Sequence, residues 1–228
     1  MSKENTVKTE RNFGNVESML TRSEQFIENN QKVLSIVGIA LVVLVGGYFL
    51  VKKFVVNPRE EKAQERIFMA QQYFEKDSFN LALKGDANNE GFLDIIDNYG
   101  STKTGNLANC YAGLCYLHLG KYNEAIQYLE DFSSSDQLLQ YVAKGAIGDA
   151  YLELGNKDKA LGYYKEAANG DNELTAPAYL FKLGLLYEDM GKSKDALAAY
   201  SKIKEDYKNS AEARTIDKYI VRAELKGN

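Results

Sequence analysis

Apolar positions follow two regimes along the chain. From Val33 to Val51 the run VLSIVGIALVVLVGGYFLV carries no charge and is apolar around the whole circumference of a helix. Lys32 bounds it on one side, Lys52 and Lys53 on the other. From about residue 57 onward, apolar residues instead recur every three or four positions among charged ones. That spacing predicts amphipathic helices, and no segment alternates as a half-buried strand would. The expected fold class is all-α.

The helical region repeats itself. In AGLCYLHLGKYNEAIQYL, residues 112–129, Gly113, Tyr116, Gly120 and Ala125 stand at spacings that return twice. Gly148, Tyr151, Gly155 and Ala160 form the second copy; Gly184, Tyr187, Gly191 and Ala196 form the third. A glycine inside a helix costs about 1 kcal/mol relative to alanine, so three at one register mark a close helix–helix approach. The second glycine ends the helix, because it adopts positive φ without penalty. The alanine then begins a second helix at a tight crossing. A degenerate fourth unit precedes these in MAQQYFEKDSFNLAL, where Ala70, Tyr73, Phe79 and Ala82 keep the pattern and Asp77 takes the turn position. KGDANNEGF reads as a loop leading into a short helix, FLDIIDNYG. Ser210 to Leu225 reads as a final capping helix, with Ala213, Ile216, Ile220 and Ala223 on one face. Helix pairs of this kind cannot bury their apolar faces singly, so they stack into a solenoid.

From Asn106 to about Lys208 the glycine–tyrosine–glycine–alanine spacing resembles the tetratricopeptide repeat family. The family's early tryptophan is replaced by Asn109, Lys144 and Leu180, and its terminal proline is absent. The resemblance implies three clear repeats, one degenerate repeat and a peptide-binding groove lined by the first helix of each unit. With Asn106, Tyr141 and Pro177 as unit starts, the inward positions are Leu107, Cys110, Leu114, Leu117 and His118 in the first unit. The second contributes Val142, Gly145, Asp149, Leu152 and Glu153; the third contributes Ala178, Phe181, Leu185, Glu188 and Asp189. Such a groove is apolar with an acidic margin, suited to an apolar segment. The alternative is that the chain's own helices cover part of this face. The Lys, Arg and Asn fork with which some repeat domains hold a C-terminal carboxylate has no counterpart at these positions.

A run of 19 uncharged residues spans about 28 Å as a helix, close to the thickness of a bilayer's hydrocarbon core. The expected domains are therefore a polar tail (1–32), a transmembrane anchor (33–56) and a repeat domain (57–228). The anchor is expected to stay uncleaved, since its polar leader and apolar core are too long for a signal peptide and no small-residue cleavage site follows. Within the tail, Val16, Met19, Leu20, Phe26 and Ile27 suit a surface-lying amphipathic helix, or else a marginal helix in a mobile tail. Residues 1–14 read as disordered.

Composition narrows the function. Outside residues 1–56 there are 21 Lys or Arg against 27 Asp or Glu, an acidic surface that argues against a nucleic-acid partner. Cys110 and Cys115 lie five apart on one helix, about 140° around its axis, which precludes a bond between them and matches no zinc pattern. The lone histidine, His118, has no nucleophile at a defined spacing, and no phosphate-binding loop appears. An enzyme and a cofactor are not expected. One loop has calcium-like spacing, with Asp86, Asn88, Glu90, Gly91, Asp94 and Asp97 at ligand positions; the competing reading is a polar turn capping the next helix.

The layout of short polar tail, FIENNQKVLSIVGIALVVLVGGYFLVKKF and repeats also resembles the bacterial group of single-anchor repeat proteins typified by YfgM, an ancillary subunit of the Sec translocon. This resemblance implies an inner-membrane protein with the tail in the cytoplasm and the repeats in the periplasm. It implies protein partners: the translocon, a membrane-anchored prolyl isomerase chaperone, or client polypeptides, with lipid met through one span. The charge rule points the other way. Arg22 and Lys32 precede the anchor, whereas Lys52, Lys53, Arg59, Lys62 and Arg66 follow it, which favours a cytoplasm-facing assembly scaffold or import receptor.

Overall fold

The computed structural model describes the backbone of residues 2–170 and 172–227, and side chains from Phe26 on except those of Glu28, Asp171 and Asn228. The described residues are helical with no strand, and the chain divides into two units, Met1–Pro58 and Arg59–Asn228.

The first unit is dominated by α1 (Ser2–Val51), interrupted at Asn30, whose φ of −116° and ψ of 15° are not helical. The Asn30 side chain donates to the Phe26 carbonyl at 2.9 Å, the local competition with backbone bonding that makes asparagine a helix disruptor. The helical backbone from Ser2 corrects the reading of residues 1–14 as disordered. Ser2–Phe13 contains neither of the helix breakers glycine and proline. The amphipathic face drawn through Val16, Met19 and Leu20 lies outside the described side chains; Phe26 and Ile27 are exposed. A helix long and apolar enough to cross a membrane lies within Asn29–Glu75, and none of its apolar window is buried. After Val51 comes a single π-helical turn, Lys52–Val56, in which the Asn57 N–H reaches the Lys52 carbonyl. Pro58 accounts for the loosened turn: it has no N–H to donate, and its ring crowds the carbonyl a turn earlier.

The second unit is built of helix pairs. They are α2 (Asn57–Glu75) with α3 (Phe79–Lys84), α5 (Lys103–His118) with α6 (Tyr122–Asp131), α7 (Gln137–Glu153) with α8 (Lys157–Ala168), and α9 (Ala176–Asp189) with α10 (Ser193–Asp206). The short α4 (Phe92–Tyr99) packs between the first pair and α5. A 3₁₀ turn, Glu212–Thr215, leads to α11 (Ile216–Gly227). The capping helix thus starts at Ile216 rather than Ser210, after a turn in which the Ser210 hydroxyl accepts from the Ala213 N–H at 3.1 Å.

All four pairs turn in the same way. Gly120, Gly155 and Gly191 have φ of 70°, 76° and 71°, and Asp77 occupies the same left-handed region at 55°. In each turn the residue after this one donates its N–H back to a tyrosine carbonyl: Ser78 to Tyr73, Lys121 to Tyr116, Asn156 to Tyr151 and Lys192 to Tyr187, at 2.8–2.9 Å. This is a Schellman closure, which satisfies carbonyls orphaned at the helix end. The alanine that follows, at 82, 125, 160 and 196, is fully buried in every pair.

The glycines at the crossings are filled from the second helix. A Cβ on Gly148 would lie 2.7 Å from the Tyr164 ring, and one on Gly184 would lie 2.2 Å from the Tyr200 ring. On Gly113 it would lie 2.5 Å from Leu129. Tyr164, Tyr200 and Leu129 are themselves almost wholly buried, so there is nowhere for them to retreat. The first-pair counterpart is Ala70, also fully buried.

Gly184→Ala should destabilise the second unit by about 1–3 kcal/mol, the usual range for overpacking. Gly162→Ala, where nothing lies within 4 Å of the added methyl, should stabilise by about 0.5–1 kcal/mol. Urea melts of the two variants check both signs.

Candidate protein-docking cleft

One face of the third and fourth helix pairs, reaching onto the second, carries an open cleft. Its larger hollow, about 340 Å³, is lined by Asp149, Leu152, Tyr164, Lys182, Leu185, Leu186 and Asp189. An adjoining hollow of about 280 Å³ is lined by Leu117, Tyr122, Asp149, Leu152, Glu153 and Tyr164. The shared residues Asp149, Leu152 and Tyr164 make the two hollows one feature. Of the positions expected from sequence, Leu117, Asp149, Leu152, Glu153, Leu185 and Asp189 meet here. Leu185 is 38% exposed, an apolar side chain presented to solvent.

The other expected positions serve packing. Cys110 is buried in the middle core cluster. A Cβ on Gly145 would meet the Tyr179 ring at 1.9 Å, and the Tyr179 hydroxyl donates to the Val142 carbonyl at 3.4 Å. This register is therefore a joint between consecutive units. Phe181 does the same at the next joint: its ring stands edge-on to Tyr219, with centroids 4.7 Å apart, under the start of α11. Leu107 and Leu114 are half-buried against the middle core, so an aspartate at 114 would disturb folding as well as surface chemistry. Ala178 is half-buried on α9. His118, though exposed, lies flat on Phe79, with centroids 4.4 Å apart and planes 2° from parallel. Glu188 is capped from α11 by Arg222, whose Nε donates at 2.9 Å. The chain's own helices thus cover the groove positions Phe181 and Glu188.

Four contributors escaped the sequence reading: Leu186, next to Leu185 on α9, and three others. Tyr164 and Tyr122 come from the second helices, which the inward-position rule ignores. Lys182 comes from the first helix but one register over. Tyr164 fills the space above Gly148 and donates its hydroxyl to Asp149 Oδ1 at 2.6 Å. Lys182 Nζ holds both Asp149 oxygens at 2.7 Å. Burial raises the Tyr164 phenol well above its ordinary value, and the Asp149 carboxylate beside it adds to the effect. At the rim, the Tyr122 hydroxyl donates to Glu153 at 3.3 Å, and Lys157 pairs with Asp189 at 2.7 Å.

Neither cysteine has the character of a nucleophile. Both are free and buried, and burial lifts their thiols to about 11 for Cys110 and about 12 for Cys115. The calcium-like loop uses Asp86 and Asp94 internally. Asp86 accepts from the Tyr73 hydroxyl at 2.5 Å and from the Asn88 and Asn89 N–H groups at 2.8 Å. Asp94 accepts from the Gly91 N–H at 3.1 Å, as a cap for α4. Among the described residues no group of three His, Cys, Asp or Glu side chains is placed to hold a metal.

Comparison with known proteins agrees with this architecture. Models described as tetratricopeptide repeat match residues 113–173 and 178–210. No curated protein sequence matches the chain. A crystal structure of MamA protein superposes with a TM-score of 0.52 at 19% identity, covering 73% of this chain and 92% of that one. A second MamA crystal structure reaches 0.42 at 22% identity over 60% and 88%.

Asp149→Ala leaves the buried Tyr164 hydroxyl unpartnered and should cost about 1–3 kcal/mol in a urea melt. Lys182→Met should cost less than about 1 kcal/mol, since the Lys182 side chain is 40% exposed. For Asp86, the Tyr73 hydroxyl and the loop N–H groups lower its pKa from 3.8 to about 2. The stability it lends is therefore present above about pH 4 and lost as the pH falls toward 2. Asp86→Ala should flatten the stability–pH curve in that window, measured by thermal melts. The matched models, the MamA superposition and the helix pairs agree that the chain folds as an all-α tetratricopeptide-repeat solenoid, whose repeats are a protein–protein interaction module.

Proposed function

We propose that this is a membrane-anchored docking protein, not an enzyme, that holds client or chaperone segments beside a protein-translocation channel of the bacterial inner membrane. The observation that carries the docking role is the cleft across α7 and α9, where Leu152 and Leu185 present apolar surface between charged rims. The uncharged run Val33–Val51 supplies the anchor, placing the cleft at high local concentration near membrane-bound partners. The YfgM-like layout supports the channel as neighbour, a membrane-anchored prolyl isomerase chaperone as companion and the periplasm as the side on which the repeats act.

A second reading has its own support. Lys52, Lys53, Arg59, Lys62 and Arg66 follow the anchor, and basic residues are retained in the cytoplasm. It makes the chain a cytoplasm-facing assembly scaffold or import receptor with the same cleft.

Leu185→Asp should cut partner copurification from detergent-solubilised membranes by about tenfold or more while leaving the far-ultraviolet circular dichroism unchanged. Unimpaired copurification would remove the cleft from the mechanism. Alkaline phosphatase fused to the C-terminus should be active if the repeats are periplasmic; an inactive, stable fusion establishes the cytoplasmic reading.

A further inference from the structure

Resting on the docking reading, we propose that the cleft's occupant is a polypeptide segment presenting one large apolar side chain close to a lysine or arginine. The apolar group sits among Leu152, Leu185 and Leu186, and the cation sits on Glu153.

The lining carries three carboxylates, Asp149, Glu153 and Asp189, against one ammonium, Lys182. Their states differ. Asp149 is saturated by Tyr164 at 2.6 Å and by Lys182 at 2.7 Å on each oxygen. Asp189 has Lys157 at 2.7 Å. Glu153 is exposed and has no ion pair among the described residues; its hydrogen bond comes from the neutral Tyr122 hydroxyl at 3.3 Å. A carboxylate offers about four acceptor sites, so Glu153 retains capacity for a cationic donor.

Helix polarity points the same way. Glu153 is the last residue of α7 and Asp189 the last of α9, and neither helix has a basic residue in its final turn. Acidic groups at helix C-termini oppose the macrodipole; Lys157 already offsets Asp189 at the end of α9, and a cation arriving on Glu153 would do the same for α7. An acidic segment would meet three carboxylates and find Lys182 already engaged. The apolar hollow and Glu153 adjoin, because Leu152 and Glu153 are consecutive at the end of α7. The two recognised side chains therefore lie within about one helical turn of each other, or on neighbouring residues of an extended segment.

The test is selection of phage-displayed random peptides on the full chain held in nanodiscs, with parallel selection on Leu185→Asp. The expected result is a set of sequences lost with Leu185→Asp and enriched for Leu or Phe beside Lys or Arg. Their binding should weaken roughly two- to fivefold with Glu153→Gln, and further with added salt. Leu185-dependent sequences that are acidic or neutral, or that ignore Glu153→Gln, overturn the charge assignment and leave the docking reading intact. Recovery of the same sequences from both proteins, or of none, defeats the docking reading and this proposal with it.

Discussion

The second unit depends on one contact made three times: a bulky side chain of the second helix seated on a glycine of the first. Leu129 on Gly113, Tyr164 on Gly148 and Tyr200 on Gly184 bring the helix axes close enough for Ala125, Ala160 and Ala196 to be fully buried beside them. Each glycine sacrifices about 1 kcal/mol of helix propensity. Packing a phenol ring, with its large apolar area, against bare backbone outweighs that loss. The Schellman turns then fix where each second helix begins, so the same crossing geometry is reproduced from pair to pair.

The cleft is a by-product of this arrangement. Tyr164 lies under its floor because it must cover Gly148, and its hydroxyl then reaches Asp149 on the first helix. That buried phenol–carboxylate bond, completed by Lys182 from the next unit, couples the crossing to the joint between units. Further along the solenoid the same face is closed: α11 sets Tyr219 on Phe181 and Arg222 on Glu188. At the α9–α10 pair the joint is covered by α11. The open stretch is thereby confined to the middle of the unit, where Leu185 remains exposed.

The fold was largely legible in the sequence because its determinants are local and periodic. Gly148, Tyr151, Gly155 and Ala160 report a crossing, a turn carbonyl, a left-handed residue and a second crossing. Even the substitution of Asp77 was readable, since aspartate tolerates positive φ better than most residues. The cleft was half legible. Counting inward positions on the first helices found Leu152, Glu153, Leu185 and Asp189. It could not separate them from Cys110, Gly145 and Phe181, which lie at the joints, because all of these positions share one face of the first helices. Tyr122 and Tyr164 were missed because their role depends on how far a second-helix ring reaches across a crossing, which spacing does not encode. The helical backbone before residue 14 was missed because low hydrophobicity was read as disorder, although helix propensity does not require apolar residues.

Photo-crosslinking from the cleft in intact membranes addresses the docking role most directly. A benzophenone amino acid at position 185 should give discrete protein adducts that the same probe at Leu174, on the exposed loop before α9, does not. Equal adduct patterns from both positions, or none from 185 in a folded and membrane-inserted protein, would mean that the solenoid meets its partners elsewhere.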